Sequence, residues 1–378
     1  MNKVTKRPLG EVAEIIMGQS PESESYNEKG DGIPFYQGKS DFGEVYPTIR
    51  MYCNSPKKIA EADDILMSVR APIGDVNIAQ EECCIGRGLA AIRPNHKVHL
   101  KYLFYLLDYY KERLDAQGTG STFKAIGKDI LNEFVIPIWE TEIQQDIVAK
   151  LNAIHNLIDN RKQVLSTLDT LIKSRFIEMF GDPVTNPHGW DKVPLSDLAE
   201  IKIGPFGTLL HKEDYITGGH ALVNPSHIHD GNIVTDGKLT ITDEKYAELS
   251  AYHLSENDVV MGRRGEMGRC AVVKESGLLC GTGSMIIRSY GEVRADFLQK
   301  IISFPSFKKT IEDMAVGQTM PNLNVPIVSR LEIIKPPTKV QDDYYAFVEL
   351  TDKSKFAVQQ SIDTLQTLKA KLMQDYFG

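Results

Sequence analysis

Apolar and polar residues alternate over short runs in two parts of this chain, and they recur every three or four positions in the stretches that follow. Segments 33–38, 64–70 and 89–93 read as strands bounded by Gly, Pro and Asp. Segment 100–114 reads as a helix with Leu103, Leu106, Leu107 and Tyr110 on one side. The plan returns further on, with strands near 221–223, 258–261 and 284–288 and a helix over 296–314. Two long helical patterns close the two parts. In the first, Leu151, Ile154, Ile158, Leu165, Leu168 and Ile172 advance by threes and fours except where Arg161 interrupts. The second carries Phe347, Val358, Ile362, Leu365, Leu368 and Leu372. This is the spacing of a coiled-coil seam. Some 40 residues at 1.5 Å each make a rod of roughly 60 Å. The apolar stripe of such a rod needs burial, and its natural partner is the other rod. The alternative is that each helix packs only on its own module.

The long patterns are copies of one another. Thr141-Glu142-Ile143-Gln144 matches Thr338-Lys339-Val340-Gln341, and a single shift of 197 also aligns Leu165, Leu168, Leu171 and Phe180 with Ile362, Leu365, Leu368 and Phe377. Each copy opens as a capping box, in which Thr141 would accept from the Gln144 backbone and Gln144 would reach back. The repeat extends into the modules. Residues 8–15 match 194–201, Asp64-Ile65-Leu66-Met67 with Arg70 matches Asp258-Val259-Val260-Met261 with Arg264, and Gly86-Arg87-Gly88 matches Gly281-Thr282-Gly283. The shift there drifts from 186 to 195, so insertions fall between matched blocks, as in a kept scaffold with varied loops. Gly181, Pro183, Pro187 and Gly189 punctuate the joint between the halves.

Composition narrows the function classes. The chain has 378 residues, room for two ordinary domains, and a net charge of −8. No module is basic overall, which by itself counts against nucleic-acid binding. No run is apolar enough to span a membrane, and the first residues lack a signal-peptide core, so a cytoplasmic protein is expected. Five scattered cysteines make neither a disulfide framework nor a zinc site, and no metal is expected from His96-Lys97-Val98-His99 or from His220, His227 and His229. There is no phosphate-binding G-x-x-x-x-G-K-[ST] loop, no methyltransferase tetrapeptide of the N-P-P-Y type and no G-x-S-x-G nucleophile. Gly86-Arg87-Gly88-Leu89-Ala90-Ala91 opens no helix and reads as a turn at a strand edge.

Two varied modules, each followed by a similar long helix, with no catalytic motif, resemble the specificity subunit of type I restriction–modification enzymes over essentially the whole chain. The matches are Gly18-Gln19-Ser20-Pro21, Gly204-Pro205-Phe206-Gly207, the two D-[IV]-x-M strands with Gly262-Arg263-Arg264-Gly265, the loop Gly118-Thr119-Gly120-Ser121-Thr122, and Gly317-Gln318-Thr319. The Glu-Gln pair common at the family's helix start is broken in both copies. The resemblance implies an α+β fold with two target recognition domains, 1–140 and 182–337. The helices 141–181 and 338–378 would pair as an antiparallel coiled coil with pseudo-two-fold symmetry. It implies a non-catalytic subunit without a cofactor of its own that reads a bipartite double-stranded DNA target. It would dock two methyltransferase subunits carrying S-adenosylmethionine, and restriction/translocase subunits using ATP and magnesium. Polar side chains on glycine-rich loops suit phosphates and base edges. Those expected at DNA are Gln19, Ser20, Lys39, Ser40, Arg70, Arg87, Thr119, Ser121, Thr122 and Lys124, then Lys202, Phe206, Arg263, Arg264, Thr282, Gln318, Thr319, Asn322 and Asn324. The competing readings are a two-module protein-binding adaptor on a helical hairpin and an enzyme with an unrecognised site.

Overall fold

A computed structural model describes residues 4–120, 124–315 and 322–378. The chain divides into two compact units, 1–164 with 357–378, and 165–356.

In the first unit a four-stranded antiparallel sheet runs in the order Ala13–Met17, Leu89–Pro94, Ile65–Ser68 and Val76–Ile78. A second sheet of five short strands sets Ile33–Tyr36 parallel to Cys83–Ile85. Helices Leu100–Tyr109, Lys111–Gln117 and Lys128–Glu133 follow. The core gathers Ile15, Ile65, Met67 and Ile92 from the strands, Leu9 from the short 3-10 turn Leu9–Glu11, Leu103 and Leu107 from the helix, and Met373 and Phe377 from the far end of the chain.

The second unit repeats this plan. Its main sheet runs Ala199–Ile203, Ser284–Ser289, Asp258–Gly262 and Cys270–Val272. Its second sheet has four strands, with His220–Val223 parallel to Leu278–Cys280. A small hairpin, Ile228–His229 with Asn232–Ile233, is added. Helices Ala295–Ile302, Pro305–Met314 and Val325–Ser329 complete it.

The expected helices 100–114 and 296–314 are each two helices. Tyr110 leaves helical geometry at φ −87°, ψ 8°, and its hydroxyl donates to the Phe377 carbonyl. In the second unit Pro305 forces the break, because its ring excludes the preceding turn and it has no N–H to donate.

The long helices are Thr141–Phe180 and Thr338–Phe377. Within the first unit the early half of one runs antiparallel to the late half of the other: Lys150 Nζ donates to the Tyr376 hydroxyl at 3.2 Å, and Trp139 Nε1 to the Tyr376 carbonyl at 3.1 Å. Within the second, Tyr344 donates to the Ile172 carbonyl at 3.3 Å, and Lys355 pairs with Asp169 at 2.7 Å. Leu151, Ile154, Ile158 and Ile362 are buried along the seam, whereas Leu368 is 44% exposed and lies outside it.

The capping boxes are not formed as expected. Gln144 is fully buried instead: it accepts from the His99 N–H at 2.7 Å and donates to the carbonyls of Lys97 and Trp139. Gln341 does the same with Arg294, Glu292 and Pro336. Buried amides must find partners, and here they tie the long helices to the starts of Leu100–Tyr109 and Ala295–Ile302.

Candidate nucleic-acid interface

Strand Ile65–Ser68 and Val69 are buried throughout, and the chain reaches the surface at Arg70, just past the end of the main sheet. Val69 is pinned on both sides. Its N–H donates to the Gly88 carbonyl at 2.9 Å, and its own carbonyl accepts from Ile126 at 3.0 Å. Gly18 donates to the Leu89 carbonyl at 2.9 Å, and the Ser20 hydroxyl accepts from the Arg87 N–H at 3.4 Å. Glycine is required here by close approach: a Cβ on Gly88 would lie 2.3 Å from the Gln37 oxygen, and one on Gly18 would lie 2.2 Å from the Gly86 oxygen. These segments surround a concavity of about 220 Å³ lined by Ser20, Gln37, Lys39, Arg70 and Arg87. The structure thus gathers four of the expected residues, and Gln37 joins them. Its only sequence signal was its place at a strand end before glycine.

Charge sorts these candidates. Lys39 is ion-paired with Asp75 at 3.0 Å, and Lys111 reaches the same carboxylate at 2.7 Å. Lys124 is held by Asp115 at 2.6 Å, which lowers the Asp115 carboxyl below its ordinary range. Among the described residues the guanidinium groups of Arg70 and Arg87 have no partner. Thr119 and Ala125 exchange both backbone hydrogen bonds and close the glycine-rich loop, and Ala125 also bridges Arg70. Gln19 and Ser40 are exposed beside this frame. Ser121 and Thr122 lie outside the described residues, as do Gln318 and Thr319.

The second unit rebuilds the same frame. Arg263 donates to the Gly283 carbonyl and accepts from Leu323, both at 3.0 Å, as Val69 does with Gly88 and Ile126. Arg264 bridges Asn322 as Arg70 bridges Ala125, and Gly204 donates to Ser284 as Gly18 does to Leu89. Arg264 therefore stands where Arg70 stands, Thr282 where Arg87 stands, and Phe206 where Ser20 stands. Phe206 is 63% exposed. Arg263 Nε donates to Asn322 Oδ1 at 3.1 Å, and burial followed by the neighbouring Arg264 charge lowers its pKa. Two more expected residues make local contacts. Asn324 caps the helix Val325–Ser329 by accepting from Ile327 at 2.9 Å. Lys202 places its ammonium 5.1 Å from the centre of the Tyr252 ring.

Unpaired guanidinium groups on rigid turns suit phosphate oxygens and base edges, which they can grip through two parallel hydrogen bonds. Among the described residues one cluster has the makings of a metal site, Glu44, His155 and Asp159. The Lys162 ammonium sits 2.9 Å from Glu44 and 3.6 Å from Asp159, supplying positive charge there itself. No helix among the described residues is long and apolar enough to cross a membrane.

Residues 1–170 and 187–369 match the model of the type I restriction modification DNA specificity domain. The MjaX specificity subunit of Methanocaldococcus jannaschii is 49% identical over 150 residues, 39% of this chain and 35% of that relative, so the match spans about a third of its length. The MjaIX specificity subunit of the same organism is 23% identical across 97% of this chain and 91% of the relative. Two solved structures share the fold. The type I S subunit from M. genitalium is 17% identical with a TM-score of 0.56, covering 100% of this chain and 96% of that one. The HsdS subunit from Thermoanaerobacter tengcongensis is 16% identical with a TM-score of 0.52, covering 99% and 96%. With both halves matched and each built on the same frame, the chain belongs to the type I restriction modification DNA specificity domain family.

Proposed function

We propose that this chain reads a split DNA sequence, one half-site per unit. The concavity around Arg70 and Arg87 would face the first half-site, and the Arg263-Arg264 turn the second. The chain is a non-catalytic specificity subunit of a type I restriction–modification system with two recognition domains. In this reading the recognition domains are 1–140 and 182–337, and helices 141–181 and 338–378 set the gap between half-sites. The observation that carries it is one guanidinium without a partner among the described residues at the same backbone position of each unit, Arg70 and Arg264, in a chain of net charge −8.

The acidic balance assigns part of the electrostatic work to partners, since phosphate neutralisation supplies most non-specific affinity. Two methyltransferase subunits bringing S-adenosylmethionine would clamp the duplex and methylate adenine. A translocase/nuclease subunit would bring ATP and magnesium. Leu171 and Leu368 support one docking face per unit: they are repeat mates 197 positions apart, 46% and 44% exposed.

Co-expression with the neighbouring methyltransferase gene product, followed by sequencing of adenine methylation in the host DNA, tests this directly. A split motif with a fixed gap is the expected result. A stable complex that leaves host DNA unmethylated would leave a docking scaffold, and no complex at all would return the chain to a protein-binding adaptor.

A further inference from the structure

Building on the DNA-reading function proposed above, we infer that the contacts divide by role according to whether the two units share them. Arg70 and Arg264 hold phosphates, while Arg87 and Ser20 in the first unit, and Thr282 and Phe206 in the second, read bases.

The chain supplies its own control. Its two units present one backbone frame, with the same donors and acceptors at 69, 88 and 126 as at 263, 283 and 323. Any two half-sites have the sugar–phosphate backbone in common, whatever their bases. A side chain kept at one point of that frame therefore fits phosphate, and side chains that change there fit base edges. Arg70 and Arg264 are kept, each exposed, each bridged to the foot of the following loop, and each without an ion-pair partner among the described residues. Position 87 against 282 changes from a guanidinium to a hydroxyl. Position 20 against 206 changes from a hydroxyl to a largely exposed ring. An arginine can bridge two acceptors of guanine, a hydroxyl serves several bases, and a ring meets the thymine methyl or an unstacked base.

The test uses the chain assembled with its methyltransferase subunits. Binding to the cognate duplex and to one with scrambled half-sites is measured across a salt series, and the methylated motif is read by sequencing. Arg70→Ala should weaken both duplexes by the same factor, flatten the slope of log K against log salt by about 0.9, and leave the motif unchanged. Arg70→Lys, which keeps the charge without the two-pronged grip, should restore the slope. Arg87→Ala should relax the first half-site alone, and Thr282→Ala or Phe206→Ala the second alone. Gel filtration of every variant complex secures assembly, and the lysine variant keeps the test sound if the alanine variant assembles poorly. The assignment is overturned if Arg70→Ala relaxes a base in the motif, if Arg70→Lys behaves like Arg70→Ala, or if Arg87→Ala leaves the motif intact. Failure of the underlying function looks different, because the unaltered complex would then yield no split motif.

Discussion

The two units share their hidden bonds and differ in their exposed side chains. In the first, Arg93 grips the buried Asp64 through two hydrogen bonds of 2.8 Å; in the second, Arg288 grips the buried Asp258 through two of 2.7 Å. Gln144 and Gln341 make matching sets of three bonds. Lys111 clamps Asp75 and Lys308 clamps Glu266, two carboxylates at different points of the same turn. Around these constants the second sheet loses a strand, a hairpin appears, and the concavity residues change. A buried polar group is costly to leave unpaired, so its partner must persist. A loop residue in water carries no such obligation and is free to follow the target.

The largest test of this likeness is at the helix ends. Phe377 and Phe180 are both fully buried among aromatic rings. Alanine at either should cost about 3–5 kcal/mol, with Phe377→Ala loosening the first unit and Phe180→Ala the second. Hydrogen exchange resolved by segment would show which unit opens, and equal effects on both units would break the comparison. Next come Asp64→Ala and Asp258→Ala. Each leaves a backbone N–H unpaired and takes the buried carboxylate from an arginine that keeps other acceptors, and should cost roughly 2 kcal/mol in denaturant unfolding; a marked gap between them would mean the two clamps are unlike. Arg263→Val gives the second unit the kind of residue the first has at position 69. Stability should change by less than about 1 kcal/mol, while methylation weakens through the second half-site only. The smallest effect belongs to Glu266. Hydrogen bonds from Lys308 and Arg269 lower its carboxyl to about 2. A depressed acid adds stability above its ordinary range near 4.5 and loses it as pH falls toward 2. Glu266→Gln should therefore cost under about 1 kcal/mol at neutral pH, and the difference should vanish in acid melts.

Much of this was legible in the sequence because the repeat is written in the buried positions. The long helices, the Asp64 and Asp258 strands and the Gly-Arg-Gly turn all announce themselves locally. What escaped depends on residues far apart in the chain. That Lys124 and Lys39 are neutralised depends on Asp115 and Asp75, and nothing in either lysine's own neighbourhood says so. Gln144 looked like half of a capping box because its true partner, His99, lies 45 residues away. Leu368 fits the seam by spacing and misses it by packing. The break at Pro305 is different, since a proline inside a helical pattern is a local signal that outweighs periodicity.

The core of the first unit holds Met373 and Phe377 beside Leu9 and Ile15, while the second unit is one unbroken run, 165–356. On a ribosome this inverts the usual order, in which the leading domain folds first. The leading module emerges with a gap where Phe377 belongs and waits on the order of ten seconds or more for the last turns of helix to be made. The trailing module has all its parts sooner. The nascent leading half thus passes through a long interval with an open apolar slot, and a chaperone that covers it would raise the yield of the whole protein.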